Sequence, residues 1–240
     1  MFSIDTRVYP SACDKEGRMK LYSVMQQMQD CSELWLSSEP VFSKYFADNG
    51  MAQLLAYRQI DILRVPTYAE RLSVRTSVYE VNALFGHRNT CIYDNKGNLC
   101  YKSWSMGAFV NRQTGKLQKV PQEVYNSVVF DSQVDIDYTE RRIVLPEAEP
   151  KQTGEIVVQA TDIDYNGHVN NAEYMRMALN LLPEGFNVSR VRIEYKVPAK
   201  MGDTIETSVL NSGTDFYVVL RINEHISTIF QFTTTNSKAV

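Results

Sequence analysis

The stretch Asp164-Tyr165-Asn166-Gly167-His168-Val169-Asn170-Asn171 decides how this chain is read. Asn166-Gly167 favours a tight turn, because both residues tolerate positive φ. Asn170, with Glu173 three residues on, has the form of a capping box, so a helix is expected to begin right after His168. The first N–H groups of such a helix lack intrahelical acceptors and are expected to point toward whatever lies beyond them. A carboxylate, an amide and an imidazole are thereby crowded onto one rigid turn. A cap alone requires neither His168 nor a second Asn. That surplus marks Asp164, Asn166 and His168 as candidate site residues.

Working outward, the same turn is written a second time. Asp14-Lys15-Glu16-Gly17 corresponds to Asp164-Tyr165-Asn166-Gly167, each just before a helix. Further on, Ile60-Asp61-Ile62 corresponds to Ile193-Glu194-Tyr195, and without a gap Ala69-Glu70-Arg71-Leu72 matches Gly202-Asp203-Thr204-Ile205. Arg18 and Lys20 stand where His168 and Asn170 stand, so only the second copy carries the polar cluster. The helix of the first copy is readable from about Lys20 to Ser37, where Leu21, Val24, Met25, Met28, Cys31 and Trp35 recur at spacings of three and four. A second helix is expected from about Asn171 to Leu182, ended by Pro183 and Gly185. Strands fill about Ala52 to Val110 and about Val188 to Thr235; Leu72, Val74 and Val78 alternate with Ser73, Arg75 and Ser77. From about Pro121 to Gly154 periodicity fades and charges and prolines collect. The expected organisation is α+β: an N-terminal unit over residues 1–130, a linker over 131–154 and a C-terminal unit over 155–240, each a long helix wrapped by an antiparallel sheet.

The bulk numbers narrow the function classes. A formal charge of −3 argues against nucleic acid, which demands a basic surface. Arg58, Arg64, Arg71, Arg75 and Arg88 fall in one stretch and read first as solvated strand faces, the alternative being a dock for an acidic partner. The N-terminus has no charged leader followed by an apolar core, and no run approaches the roughly 18 apolar residues of a membrane span. Cys13, Cys31, Cys91 and Cys100 form no CxxC pair, so free thiols in a reducing cytoplasm are expected. Cys91 and Cys100 flank the Asp94-to-Asn98 turn and are placed to face each other across a hairpin. No His sits near them at ligand spacing, so neither zinc nor any other metal is expected. His225, in the expected hairpin Asn223-Glu224-His225, and His87, after Phe85-Gly86, read as structural or surface residues.

The run Asp164 to Asn171 followed by Tyr174 resembles the signature of acyl-acyl-carrier-protein thioesterases, fatty-acid-releasing enzymes of plants and bacteria. Leu54 to Ile62 with Pro66 and Glu70 is similar to that family's first long strand, and Phe85-Gly86-His87-Arg88 and Ser103-Trp104-Ser105 to its later ones. The likeness covers roughly Phe2 to Phe232. It implies two tandem hot-dog domains hydrolysing fatty acyl thioesters of acyl carrier protein in the cytoplasm, without a cofactor and without nucleic acid or membrane, as a monomer or homodimer. It also implies roles: His168 activates water or acts as nucleophile or general acid/base, Asn166 positions water or polarises the thioester carbonyl, and Asp164 orients both. The acyl chain is expected in the first unit, with Met25, Met28, Trp35, Phe85 and Trp104 equally readable as pocket walls or plain core. One departure stands out. Where the family carries a strand Glu, and often an adjacent Cys, this chain has Pro198 and Ala199. Glu194, on the same face as Pro198 in a regular strand, is the candidate accessory acid or base. Hydrolysis of acyl-CoA by the same groups and non-catalytic acyl binding remain open as alternatives.

Overall fold

Helix α1 (Leu21–Ser38) forms where the apolar stripe places it, and the stripe is what it buries: Val24, Met25, Met28 and Cys31 are fully shielded and Trp35 nearly so. The structure, a computed structural model, describes residues 1–235. A further helix, α2 (Pro40–Asp48), follows after Glu39 leaves helical geometry; Pro40 sits in its first turn, where no N–H is needed. Phe42 and Phe46, one turn apart, stack at 4.8 Å and bury against Phe109. The α1 periodicity did not announce this helix.

The chain divides into two compact units. The first comprises Met1–Arg58 and Leu63–Tyr138. Its strands are β1 (Phe2–Arg7), β2 (Met51–Ile62), β3 (Arg71–Val81), β4 (Phe85–Asp94) and β5 (Leu99–Asn111), in the order β1-β3-β4-β5-β2. The pairings β1–β3, β3–β4 and β4–β5 are antiparallel. Helix α1 packs on β1, β3 and β4, and the short α3 (Gln122–Tyr125) on α2.

The second unit comprises Gln59–Ile62, the end of β2, and Thr139–Val240; residues 236–240, at the end of the expected C-terminal domain, lie outside the described residues. Its elements are β6 (Lys151–Val157), α4 (Asn171–Leu179), β7 (Val188–Tyr195), β8 (Thr204–Ser212), β9 (Asp215–Ile222) and β10 (His225–Thr234), with sheet order β7-β10-β9-β8-β6. All four of those pairings are antiparallel. Met175 on α4, Ile193, Val218, Leu220, Phe230 and Phe232 are fully shielded and form its centre.

Several expectations need correcting. Helix α4 ends at Leu179 rather than Leu182, its last residues tightening into turns through Leu181 N–H to Ala178 O and Leu182 N–H to Leu179 O. Strand β6 begins at Lys151, inside the stretch that lacked periodicity, because an edge strand with both faces wet carries no apolar alternation. The rest of that stretch has no long element but is tied down: Val134 N–H and Tyr138 Oη donate to Asn89 Oδ1 in the first unit. In the second unit, Thr139 Oγ1 donates to Gln59 Oε1. Cys91 faces Lys102, not Cys100: the pairing of Tyr93 with Leu99 already sets Cys91 past Cys100, and a bulge after Ile92 moves it one residue further. Arg58 and Arg88 are not on solvated faces but are buried, at 2% and 6% exposure. Among the described residues no helix is long and apolar enough to cross a membrane.

Candidate active site

The turn at Asp164 is built from its own backbone. A 3-10 turn (Ala160–Asp162) leads in, closed by a capping box in which Gln159 and Asp162 exchange backbone and side-chain hydrogen bonds. Asp164 N–H then donates to His168 O at 2.8 Å and Gly167 N–H to Asp164 O at 3.0 Å, with Gly167 at φ +81°. The Asp164 carboxylate folds inward: Oδ1 accepts from Asn166 N–H at 2.8 Å and from His168 N–H at 3.4 Å. It therefore grips the backbone of both other candidates, which holds their side chains on one short arc. Among the described residues the Asn166 amide and the His168 imidazole make no side-chain hydrogen bond, and His168 Nδ1 is buried without a partner. A buried ring nitrogen left unpaired costs about 1–3 kcal/mol, which a water or substrate atom would recover.

Helix α4 starts differently from the expected capping box. Asn170 Oδ1 accepts from Ala172 N–H at 2.9 Å, while Asn170 N–H goes to Asp162 O rather than to Glu173. Glu173 instead pairs with Arg176 Nε, and Arg176 Nη2 reaches the buried Asp162 carboxylate at 2.9 Å. This Asp162–Arg176–Glu173 chain locks the 3-10 turn onto the first turns of α4. The row of free N–H groups expected at the helix start is correspondingly short: Glu173 and Tyr174 N–H both reach Asn170 O, which leaves Asn171 N–H as the first-turn donor with no protein acceptor among the described residues.

From below, the turn is braced by the loop after β7. Val169 N–H donates to Ala199 O at 2.9 Å, and the fully buried Ala199 donates its own N–H to Tyr174 Oη at 2.7 Å. Burial raises the Tyr174 pKa, so its hydroxyl stays protonated and accepts from Ala199 while lying 3.5 Å from Ser227 Oγ.

The model of the acyl-ACP thioesterase N-terminal domain matches residues 2–128, and that of the acyl-ACP thioesterase C-terminal domain matches residues 146–236. The chain belongs to the acyl-ACP thioesterase family. Among relatives of the family, it is 28% identical over 189 residues to an acyl-[acyl-carrier-protein] hydrolase of Cuphea viscosissima, covering 71% of this chain and 45% of that one. It is 30% identical over 189 residues to a palmitoyl-acyl carrier protein thioesterase of Cuphea hookeriana, with the same coverage. The chain thus spans about half the length of the curated relatives it matches. Its fold is that of an acyl-ACP thioesterase from Bacteroides thetaiotaomicron, with a TM-score of 0.85 at 22% identity over 96% of both chains. The 12:0-ACP thioesterase of Umbellularia californica superposes equally well, TM-score 0.85 at 15% identity over 97% of this chain and 96% of that one. The hot-dog architecture holds at this low identity.

Against that family background, the Pro198–Ala199 segment offers no carboxylate or thiol, and Ala199 is spent on bracing the turn. The regular strand assumed to put Glu194 and Pro198 on one face ends at Tyr195, after which Lys196 and Val197 N–H both turn to Ser227 O. The buried Glu194 carboxylate accepts from Ile143 N–H at 3.1 Å and lies 3.4 Å from Lys196 Nζ. It makes no hydrogen bond to Asp164, Asn166 or His168. The contributions of Asp162 and Arg176 were not foreseen. Their only sequence signal is the i, i+3 pair Glu173–Arg176, since the link to Asp162 crosses fourteen positions. Among the described residues no cluster of His, Cys, Asp and Glu is placed to hold a metal ion.

Proposed function

We propose that this chain is a thioester hydrolase that releases free fatty acids from acyl carrier protein and so ends fatty-acid synthesis, acting in the cytoplasm. The observation that carries this reading is the His168 imidazole. It sits on a rigid, internally capped turn with a buried Nδ1 that has no partner among the described residues, next to an Asn166 amide that likewise has none among them. In the proposed reaction His168 takes a proton from water as the water oxygen attacks the thioester carbonyl carbon. The Asn166 amide and Asn171 N–H donate to the oxyanion that forms. Collapse of the tetrahedral intermediate breaks the carbon–sulfur bond, and His168 returns its proton to the departing sulfur. Asp164 works through the backbone, keeping both side chains in place. Glu194 is better read as an anchor for the segment at Ile143 than as an acid or base.

Pro198 and the buried Ala199 favour a second reading, an acyl-binding module without turnover, because neither supplies an ionisable side chain. A hydrolysis assay over acyl-carrier-protein thioesters of increasing chain length, run beside matched CoA thioesters and the His168→Ala protein, separates the possibilities. Carrier-protein thioesters hydrolysed by the native chain alone support the proposal. Faster turnover of the CoA series reassigns the carrier. Acyl binding with no product identifies the module, and near-native rates in His168→Ala remove the mechanism.

A further inference from the structure

The duplicated turn supplies an internal control on the ion pairs around the candidate site. In the second unit Asn170 N–H donates to Asp162 O at 2.8 Å, Ile163 pairs with Val169 in an antiparallel bridge, and Asp164 N–H donates to His168 O at 2.8 Å. Residues 162–170 are thus a miniature hairpin that carries Asn166 at its tip and His168 on its returning arm. Its base is clamped. Asp162 Oδ1 accepts from Arg176 Nη2 at 2.9 Å, Asp162 Oδ2 accepts from Gln159 N–H at 2.9 Å, and Arg176 Nε holds Glu173 on the same helix. The two carboxylates are 7% and 14% exposed, so the guanidinium between them supplies countercharge to groups that have lost most of their water.

The first unit folds the same hairpin without this clamp. Lys20 N–H donates to Ala12 O at 2.9 Å, Cys13 pairs with Met19, and Asp14 N–H donates to Arg18 O at 2.8 Å. The positions that correspond to Asp162, Glu173 and Arg176 are Ala12, Ser23 and Gln26. Ala12 has no side-chain acceptor, and the Gln26 amide turns along α1 to Tyr22 Oη at 3.0 Å. Both hairpins are entered through a short 3-10 turn, Pro10–Ala12 in one and Ala160–Asp162 in the other. Lead-in, hairpin and helix start therefore form without an Asp162–Arg176–Glu173 chain, and that chain is present where the hairpin carries an imidazole.

A hairpin that has only to fold tolerates slack that a reacting group does not, since displacing such a group by about 1 Å can lower a rate by about 10²-fold. Arg176 lies in the second turn of α4 and so ties the hairpin to the body of the helix. Its fork engages two carboxylates at once, a geometry that a lysine ammonium does not reproduce. We infer that Arg176, acting through Asp162, is a positioning residue of the reaction, fixing the base of the hairpin so that the His168 imidazole keeps one orientation toward the thioester. The inference rests on the hydrolase reading and adds to it a part that the hairpin does not need in order to fold.

The test places the first unit's residues in the second: Asp162→Ala, Glu173→Ser and Arg176→Gln together, which removes the guanidinium with both carboxylates and strands no buried charge. Circular dichroism checks the fold, and steady-state hydrolysis of an acyl-carrier-protein thioester gives kcat and KM. Proton NMR of the imidazole Cε1–H signals follows His168 without turnover; the chain has 3 histidines, and the His168→Ala spectrum assigns the signal. The expected result is a folded variant with kcat lower by at least about tenfold and KM within about twofold. Its His168 signal should move and broaden while those of His87 and His225 stay in place. Arg176→Lys, which keeps a charge beside Asp162 but not the fork, should lie between the native chain and the triple variant.

An unchanged kcat in the folded triple variant, a rise in KM alone, or a His168 signal that does not move overturns the inference, because a clamp that only adds stability gives those results. Loss of the fold overturns it too, since the clamp then serves the hairpin and not the group it carries. The two readings fail separately. No hydrolysis by the native chain, with a His168 signal that still moves in the variant, sinks the hydrolase and leaves the clamp as a device that orients the imidazole.

Discussion

The two turns of this molecule were built to one plan and furnished differently. In the first unit Asp14 N–H donates to Arg18 O, Gly17 N–H to Asp14 O, and Asp14 Oδ1 accepts from Glu16 and Arg18 N–H. In the second, Asp164, Gly167, Asn166 and His168 repeat every one of those bonds. Even the supports correspond: Met19 N–H donates to Pro66 O, as Val169 N–H does to Ala199 O. What differs is the load. Arg18 is consumed by ion pairs to Asp14 and Glu16 on the surface, while His168 Nδ1 is left without a partner among the described residues. A frame set by Asp and Gly is thus separable from the chemistry hung on it. The bracing differs in step. Ala199 N–H needs an acceptor and finds Tyr174, whereas Pro66 has no N–H and Val24 stands where Tyr174 does.

The largest effect expected from this contrast is on rate. His168→Ala should lower kcat by at least about 10²-fold, the scale of losing a proton-transfer group, while Arg18→Ala at the matching position should stay within about twofold. Steady-state hydrolysis of an acyl-carrier-protein thioester measures both, and equal losses would mean the two turns share a structural role only. Next comes Tyr174→Phe, which strands the buried Ala199 N–H. A loss of about 1–3 kcal/mol in urea unfolding is expected, with a fall in kcat smaller than that of His168→Ala.

A smaller effect distinguishes the loops beyond the turns. Ala69 holds φ +67° where its counterpart Gly202 holds +86°. A left-handed alanine costs roughly 1 kcal/mol, so Ala69→Gly should leave stability unchanged or raise it slightly, and Gly202→Ala should lower it by about 1 kcal/mol. The smallest concerns acid. The Arg64 guanidinium beside Glu70, with Thr67 N–H and Oγ1, holds the Glu70 carboxyl down at about 2. A depressed carboxyl pKa contributes stability above its unfolded value that is lost as pH falls toward 2. Because Arg64 is 39% exposed, screening should keep this below about 1 kcal/mol. Native and Glu70→Gln proteins should therefore differ most near neutral pH and converge between pH 4.5 and 2.

Much of this was legible in the chain. The α1 stripe, the hairpin at Asp94 and the duplicated turn follow from periodicities of a few residues and from Asp and Gly at fixed offsets, and these are local rules. Helix α2 escaped because Glu39 and Pro40 look like an ending, although Pro40 also opens a helix and Phe42 and Phe46 sit one turn apart. The arginines escaped because charge in a strand reads as exposure, while Arg88 is buried over Trp35 by residues far from it in sequence.

By itself the sequence determined that two helix-and-sheet units repeat and that only the second turn carries an imidazole, because identity and spacing along the chain are enough for both. The tertiary structure alone decided what those groups touch: that Asp162 and Arg176 lock the turn to its helix, that Tyr174 supports it through Ala199, and that Glu194 is tied to Ile143. Each of these contacts joins residues from different elements, and such pairs are fixed by strand order and packing rather than by any pattern local to the chain.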